Sequence, residues 1–284
     1  MEDKTFLKDN LAGTIPLEIS REIIKNIKDS ASILKVCKLE TMTSDKKTLP
    51  RLSDSGSASW VNEGEAIKTS VPKFEYPELE AKKLAIIIPI TREKINDSVV
   101  AVLNEVKQAI ADSFAAAIDK ATIFGTESPF KTNLITAIGE TKIKATSGFD
   151  ADLSNAMGLV EGNKYNCSNV LMGVNQKKVL RALANDNKYK GAITLNSVYE
   201  TPIEFVRDFD DKKALAITGD FSKAIIGTRE DITYEILKEA TIQNSDRTTL
   251  NLAQQDMIAV KATMRLGFVV ADPKAFSAVV SSEE

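Results

Sequence analysis

The residues best suited to chemistry in this sequence are carboxylates, and they fall into two groups. Asp208, Asp210 and Asp211 stand within one short stretch and could offer several oxygens to Mg²⁺ or Ca²⁺. A calcium loop needs further spaced carboxylates and a closing Glu, which are absent here, so this group reads as an acidic turn between strands. Glu63, Glu65, Glu75, Glu78 and Glu80 form a looser second group, interleaved with Lys68, Lys73, Lys82 and Lys83. Mixed signs at that spacing describe a solvated face or one that lies against another subunit, not a general acid–base pair. The chain contains 0 His, which removes the usual neutral-pH base and the commonest metal ligand together. Its 2 cysteines, Cys37 and Cys167, are too few for a structural zinc site or a disulfide framework. Each is expected to be a small buried hydrophobe in a reducing compartment. No phosphate-binding glycine loop, dinucleotide fingerprint or nucleophile elbow occurs. A carboxylate and Mg²⁺ enzyme built on Asp208, Asp210 and Asp211 is kept as a remote alternative; the expectation is no enzyme, cofactor or metal.

The elements around these residues belong to a globular chain of 284 residues, 43% hydrophobic and 27% charged, with a formal net charge of -3. Lys82-Lys83 and Lys177-Lys178 are isolated doublets, so no basic stripe for nucleic acid is present. The first residues carry no basic and apolar leader, and no apolar run nears the roughly 20 residues a membrane helix needs. A soluble, cytoplasmic protein is expected.

Residues 1–15 read as an extended polar arm. Ile19, Ile23 and Ile27 recur every four residues, with Thr14 as a cap and Pro16 in the first turn, which predicts a short amphipathic helix over 15–29. Ile33, Val36 and Leu39 suggest a strand that ends in the polar stretch 41–47. Residues 53–83 hold the only Trp, Trp60, and little aliphatic material, and Lys73 to Glu80 alternates in part as a ribbon would. A ribbon of this kind is marginal alone in water, so it must lie on something else. Residues 85–90 form a β-branched strand whose Pro89 points to an edge or a bulge. A long amphipathic helix follows over 98–124, with Asn96, Asp97 and Ser98 near its start and Gly125 as its stop. Helices are expected at 151–161 and 176–185, and strands at 170–173, 203–207, 214–218, 223–227 and 232–237. Ile258 to Val270 alternates at period two, with Lys261, Thr263 and Arg265 on the polar side. Asp272-Pro273 ends that strand, and a short apolar tail remains.

The order of these segments resembles the major capsid proteins of tailed bacteriophages with the Hong Kong 97-type fold. The residues that carry the resemblance are Ala58-Ser59-Trp60-Val61-Asn62-Glu63-Gly64-Glu65, the return through Lys82-Lys83-Leu84-Ala85 to Pro89-Ile90-Thr91-Arg92-Glu93, and the helix exit Phe124-Gly125-Thr126. Thr201-Pro202-Ile203, Thr218-Gly219-Asp220-Phe221 and Arg265-Leu266-Gly267-Phe268 to Asp272-Pro273 extend it, so that it covers about residues 15–279.

The resemblance implies an α+β subunit in four parts: an arm and short helix (1–30), a peripheral domain with a long spine helix (31–52, 84–148 and 251–284), an extended β-hairpin loop (53–83) and an axial domain (149–250). It implies a virion shell protein, assembled in the bacterial host cytoplasm as hexamers and pentamers around double-stranded DNA, with a scaffolding protein and a portal as partners. Trp60, Glu63, Glu65, Lys68, Lys73, Glu75, Glu78 and Glu80 would then meet a neighbouring subunit, and removal of residues 55–82 would leave a folded subunit unable to close shells. Family members that crosslink covalently use an Asn acceptor and an assisting Glu near the last strand; those positions here hold Asp256 and Thr263, so no crosslink is expected. An encapsulin-like nanocompartment shares the fold and is the alternative; the polar arm weighs against it.

Overall fold

The computed structural model describes residues 27, 30–54, 56, 58–64, 66, 69–93, 99–139, 141–146, 148–186, 191–243 and 248–281. The expected arm, most of the helix over 15–29 and the capping residues Asn96, Asp97 and Ser98 lie outside them. A short helix α1 (Ser32–Val36) leads into β1 (Lys38–Thr41), then β2 (Lys46–Thr48), β3 (Arg51–Asp54), β4 (Lys73–Glu75), β5 (Glu78–Glu80) and β6 (Lys82–Thr91). The long helix α2 (Val99–Asp119) runs without a break into a π-helical turn, Lys120–Phe124, which Gly125 closes at φ 69°. Next come α3 (Leu134–Ile138), β7 (Lys142–Lys144), α4 (Phe149–Gly162), β8 (Asn169–Gly173), α5 (Lys177–Asn185), β9 (Ser197–Val198), β10 (Thr201–Val206) and β11 (Ala216–Gly219). The order ends with β12 (Ala224–Leu237), β13 (Thr241–Gln243), β14 (Thr249–Asn251), β15 (Met257–Val270) and β16 (Phe276–Val280).

Two sheets organise the chain: a 4-stranded one in the order β1-β12-β15-β6 and a 6-stranded one in the order β7-β16-β11-β8-β10-β9. In the first, period-two alternation puts Ile258, Val260, Ala262, Met264 and Leu266 of β15 inward, in one core with Ile110, Phe114 and Ile118 of α2. Lys261, Thr263 and Arg265 face the other way and stay half-exposed, as the sequence pattern requires. β6 is an edge strand, which accommodates Pro89 opposite Ala259. In the second sheet both faces are covered. Leu171, Ile217 and Ala278 point into the main core, while their neighbours Val170, Met172, Ala216 and Val279 pack with Leu153, Ala156 and Leu180 of α4 and α5.

Three elements differ from the sequence expectation. Ile33 and Val36 lie in helix α1, not in a strand, because Asp119 accepts the backbone N–H groups of Ser32 and Ile33 at 3.1 Å each and so starts the helix from a residue far along the chain. The stretches expected as separate strands at 223–227 and 232–237 are one strand, β12, interrupted by register shifts between Thr228 and Thr233. The apolar tail is strand β16, an interior strand of the second sheet between β7 and β11. Segment 149–250 thus contributes β12 to the first sheet, and segment 251–284 contributes β16 to the second.

Candidate intersubunit surface

Residues 46–54 and 73–80 form a ribbon in two pieces. β2 pairs with β5, Lys46 opposite Glu80 and Thr48 opposite Glu78; β3 pairs with β4, Arg51 opposite Glu75 and Leu52 opposite Phe74. Pro50 and Pro77 interrupt both strands between the pieces, where the Leu49 N–H donates to the Pro77 carbonyl at 3.0 Å. Lys73 to Glu80 is therefore the returning half of a ribbon whose other half precedes Ser55.

The inner piece is fastened by one side chain and two glycines. Leu79 is 0% exposed and packs with Met42, Ile225 and Val269 on the outer face of the first sheet. Gly227 and Gly267 are register partners there. A Cβ on Gly267 would lie 2.7 Å from the Glu80 carbonyl oxygen, and one on Gly227 would lie 2.3 Å from Leu79 Cδ2. The paired glycines form a slot that lets β5 cross the sheet at backbone distance.

Charges fix the ribbon to its own subunit. Glu78 meets Lys131 at 2.9 Å and Lys46 at 3.3 Å, and Glu80 meets Lys82 at 2.7 Å. The hydrogen bond from Lys131 holds the Glu78 carboxyl below its ordinary range, and that from Lys82 does the same for Glu80. Arg51 donates to the Ala271 carbonyl and to Asp272, and lies 3.3 Å from Glu75. Asp272 is almost fully buried; it also accepts from the Tyr165 hydroxyl and caps the turn at Lys274 N, 3.0 Å away. Burial, with the bond to Asp272 second, pushes Tyr165 up to about 12.

The outer piece presents the opposite chemistry. Leu52, Trp60, Val61, Val71, Phe74 and Tyr76 are all exposed, half of the large apolar side chains so placed among the described residues. Phe74 is 53% and Tyr76 64% exposed, and Trp60 is fully open. Of the residues singled out in the sequence, Glu63 sits in an exposed turn beside Gly64, and Lys73 is exposed on β4. Glu75, Glu78 and Glu80 already hold partners in the same chain, while Glu65 and Lys68 lie outside the described residues. Composition drew attention to the charges and missed Phe74, Tyr76 and Leu52, although the alternation of Lys73, Phe74, Glu75 and Tyr76 carried the signal.

The other candidate chemistry is dispersed. Asp208 pairs with Lys120 at 3.0 Å, Asp210 accepts from Lys212 N at 3.2 Å, and Asp211 accepts from Asn175 at 2.8 Å. Among the described residues, no three His, Cys, Asp or Glu side chains are grouped to hold a metal. Asp256 lies 3.2 Å from Arg92, and the Thr263 hydroxyl is 2.7 Å from that of Thr233. Cys37 is buried and Cys167 half-buried, both as free thiols; burial first, then Asp119, pushes the Cys37 thiol up. No described helix is long and apolar enough to cross a membrane.

Comparison with known proteins agrees with this architecture. The chain is 28% identical to the major capsid protein of Staphylococcus phage 80alpha over 289 aligned positions, covering 99% of this chain and 89% of that protein. It is 23% identical to a probable major capsid protein of Mycobacterium phage L5, covering 80% and 77%. A solved chain from Mycobacterium phage Adephagia superposes with a TM-score of 0.77 at 23% identity, covering 90% and 91%. The capsid of an empty GTA particle gives a TM-score of 0.65 at 17% identity, covering 89% and 91%. The α+β fold is thus that of phage capsid chains, and the Phage capsid family model matches residues 12–281. By a match spanning nearly its whole length, the chain belongs to the phage capsid family.

Proposed function

We propose that this chain is a major capsid protein of a tailed phage or prophage, and that many copies close into an icosahedral shell around double-stranded DNA. The observation that carries this reading is the ribbon. Its inner piece is fixed in the subunit by Leu79 and the near end of its outer piece by Arg51, whereas Leu52, Trp60, Val61, Val71, Phe74 and Tyr76 of the outer piece are exposed with no core of their own. Apolar side chains on a projecting ribbon are stable in quantity only when another surface covers them, and a second copy of the chain is the partner a shell supplies.

In this reading Trp60, Glu63, Glu65, Lys68 and Lys73 meet the neighbouring copy, and Glu75, Glu78 and Glu80 serve the ribbon's attachment. The first sheet with α2 is the peripheral part and the second sheet with α4 and α5 the axial part, packed around hexamer and pentamer centres. A scaffolding protein and a portal are the assembly partners.

The test is electron microscopy of the full chain beside a variant in which residues 55–72 are replaced by a short turn. This segment leaves Leu79 and β6 intact, unlike removal of 55–82, which would take out the buried anchor. The full chain is expected to give closed particles and the variant folded subunits without shells. Wild-type-sized particles from the variant would contradict the role assigned to the ribbon.

A further inference from the structure

The two pieces of the ribbon are held to the body by different means, and only the outer one can part from it without opening a core. The inner piece is held by Leu79, whose withdrawal would break up the apolar cluster with Met42, Ile225 and Val269. The outer piece has no such anchor. Among the described residues, the hydrogen bonds and ion pairs that tie β3 and β4 to the rest of the subunit all come from Arg51, to the Ala271 carbonyl and to Asp272. Between the pieces lies a joint. The Leu49 N–H donates to the Pro77 carbonyl there, and neither Pro50 nor Pro77 has an N–H with which to add a second ladder bond. Residues at the ends of elements, as these are, absorb changes in chain direction.

The contact between Arg51 and Asp272 is built so that each side keeps a partner when it parts. Arg51 is the register partner of Glu75 and lies 3.3 Å from it, and Glu75 belongs to the outer piece and moves with it. Asp272 keeps the Tyr165 hydroxyl and the Lys274 N–H, donors that belong to the body. Its surroundings are fastened independently of the ribbon. The Ala271 N–H donates to the Lys223 carbonyl at 2.7 Å, and the Asn163 side chain donates to the Lys274 carbonyl at 3.1 Å. A buried carboxylate stripped of every partner is costly to leave behind, whereas one that retains two donors is still solvated by the protein. A contact whose two halves each hold a second partner therefore has two satisfied arrangements, as a switchable element requires.

We propose that the outer piece of the ribbon is a strap, held down by Arg51 on Asp272 and free to swing about the joint at Pro50 and Pro77 when that contact parts. The inner piece stays in place on Leu79 while the strap carries Leu52 and Phe74 with it. This assignment does not depend on the shell reading, because joint, catch and strap lie within one subunit.

Spin-label distances in unassembled, full-length subunits test it. With Cys37→Ala and Cys167→Ala in place, labels at Lys73→Cys and Lys178→Cys, both exposed positions, read the strap against α5. Labels at Thr48→Cys and Lys178→Cys read the inner piece against the same reference. Adding Arg51→Gln is expected to shift and broaden the Lys73 distance and to leave the Thr48 distance as it was. An unchanged Lys73 distance would overturn the catch, and an equal shift of the Thr48 distance would overturn the pivot. Arg51→Gln alone leaves Asp272 buried without a cation, so the double change Arg51→Gln with Asp272→Asn removes both charges and guards against a misfolded variant. It is expected to release the strap in the same way, and retention of the parent distance there would also overturn the proposal.

Discussion

Replacing Gly267 with alanine places a methyl group 2.7 Å from the Glu80 carbonyl oxygen and 3.0 Å from its carbon. Both are backbone atoms of the crossing strand, so neither can rotate away. If the sheet and ribbon hold their positions, the overpacking costs about 1–3 kcal/mol. If β5 lifts instead, Leu79 leaves its fully buried site and gives up about 1.5–3 kcal/mol. Both routes lead to a loss near ~2 kcal/mol. The three atoms nearest a Cβ in Gly227→Ala belong to the Leu79 and Met42 side chains, which can turn aside, so its cost is expected to be smaller. Gly158→Ala in α4 has nothing within 4 Å and is expected to add roughly 0.5–1 kcal/mol. Urea unfolding of unassembled subunits would rank the three, with an unchanged slope showing that stability alone moved. A Gly267→Ala variant within about 0.5 kcal/mol of the parent, the range of ordinary surface changes, would refute the slot argument.

Three further perturbations test other parts of the molecule. Burial holds the Asp119 carboxyl at about 6, against which the N–H groups of Ile33 and Ser32 pull it down; Glu204 raises it and Lys35 lowers it. A folded value above the unfolded one means that its contribution is fully present below about 3.9 and is lost as pH rises through about 6. The stability difference between the parent and Asp119→Asn is therefore expected to fall by roughly 3 kcal/mol from pH 4 to 7, read from denaturation curves; a flat difference would sink this account. Arg51→Met removes the donors to Ala271 and Asp272 at an expected cost of about 1.5–3 kcal/mol, with faster hydrogen exchange in 51–54 and 73–75 than in β5. Equal exchange in both pieces would show that Arg51 does not fasten the outer one. Phe74→Ser with Tyr76→Ser is expected to leave subunit stability within about 0.5 kcal/mol while abolishing shells in micrographs; a matching loss of stability would place those rings in the subunit's own core.

Much of the fold was legible because its signals were local. The alternation from Ile258 to Leu266, the stripe of α2, the stop at Gly125 and the edge proline Pro89 all report nearest-neighbour geometry. What failed depended on distant residues. The cap of α1 comes from Asp119, and the five-residue run at Phe276 is ambiguous until β11 and β7 lie beside it. The candidate surface divides in the same way. The alternation of Lys73 to Glu80 was readable as one half of a ribbon, but its other half at 46–54, most of which the expected loop at 53–83 leaves out, was not. Nor was it readable which groups turn inward, since Glu78 finds Lys131 and Arg51 finds Asp272 only after folding. The unbroken run Gly267-Phe268-Val269-Val270 did carry one usable sign: a strand that stops alternating is covered on both faces.

The passage of the chain between sheets has a consequence in time. β11 lies in the second sheet and its successor β12 in the first; β15 returns to the first and its successor β16 to the second. During synthesis, β6 and β12 have no strand between them until residues 257–270 emerge, and β7 has no neighbour until 276–280 follow. Long-range pairings of this sort form late. Until residues 257–280 have emerged, a nascent chain thus carries its ribbon on two incomplete sheets.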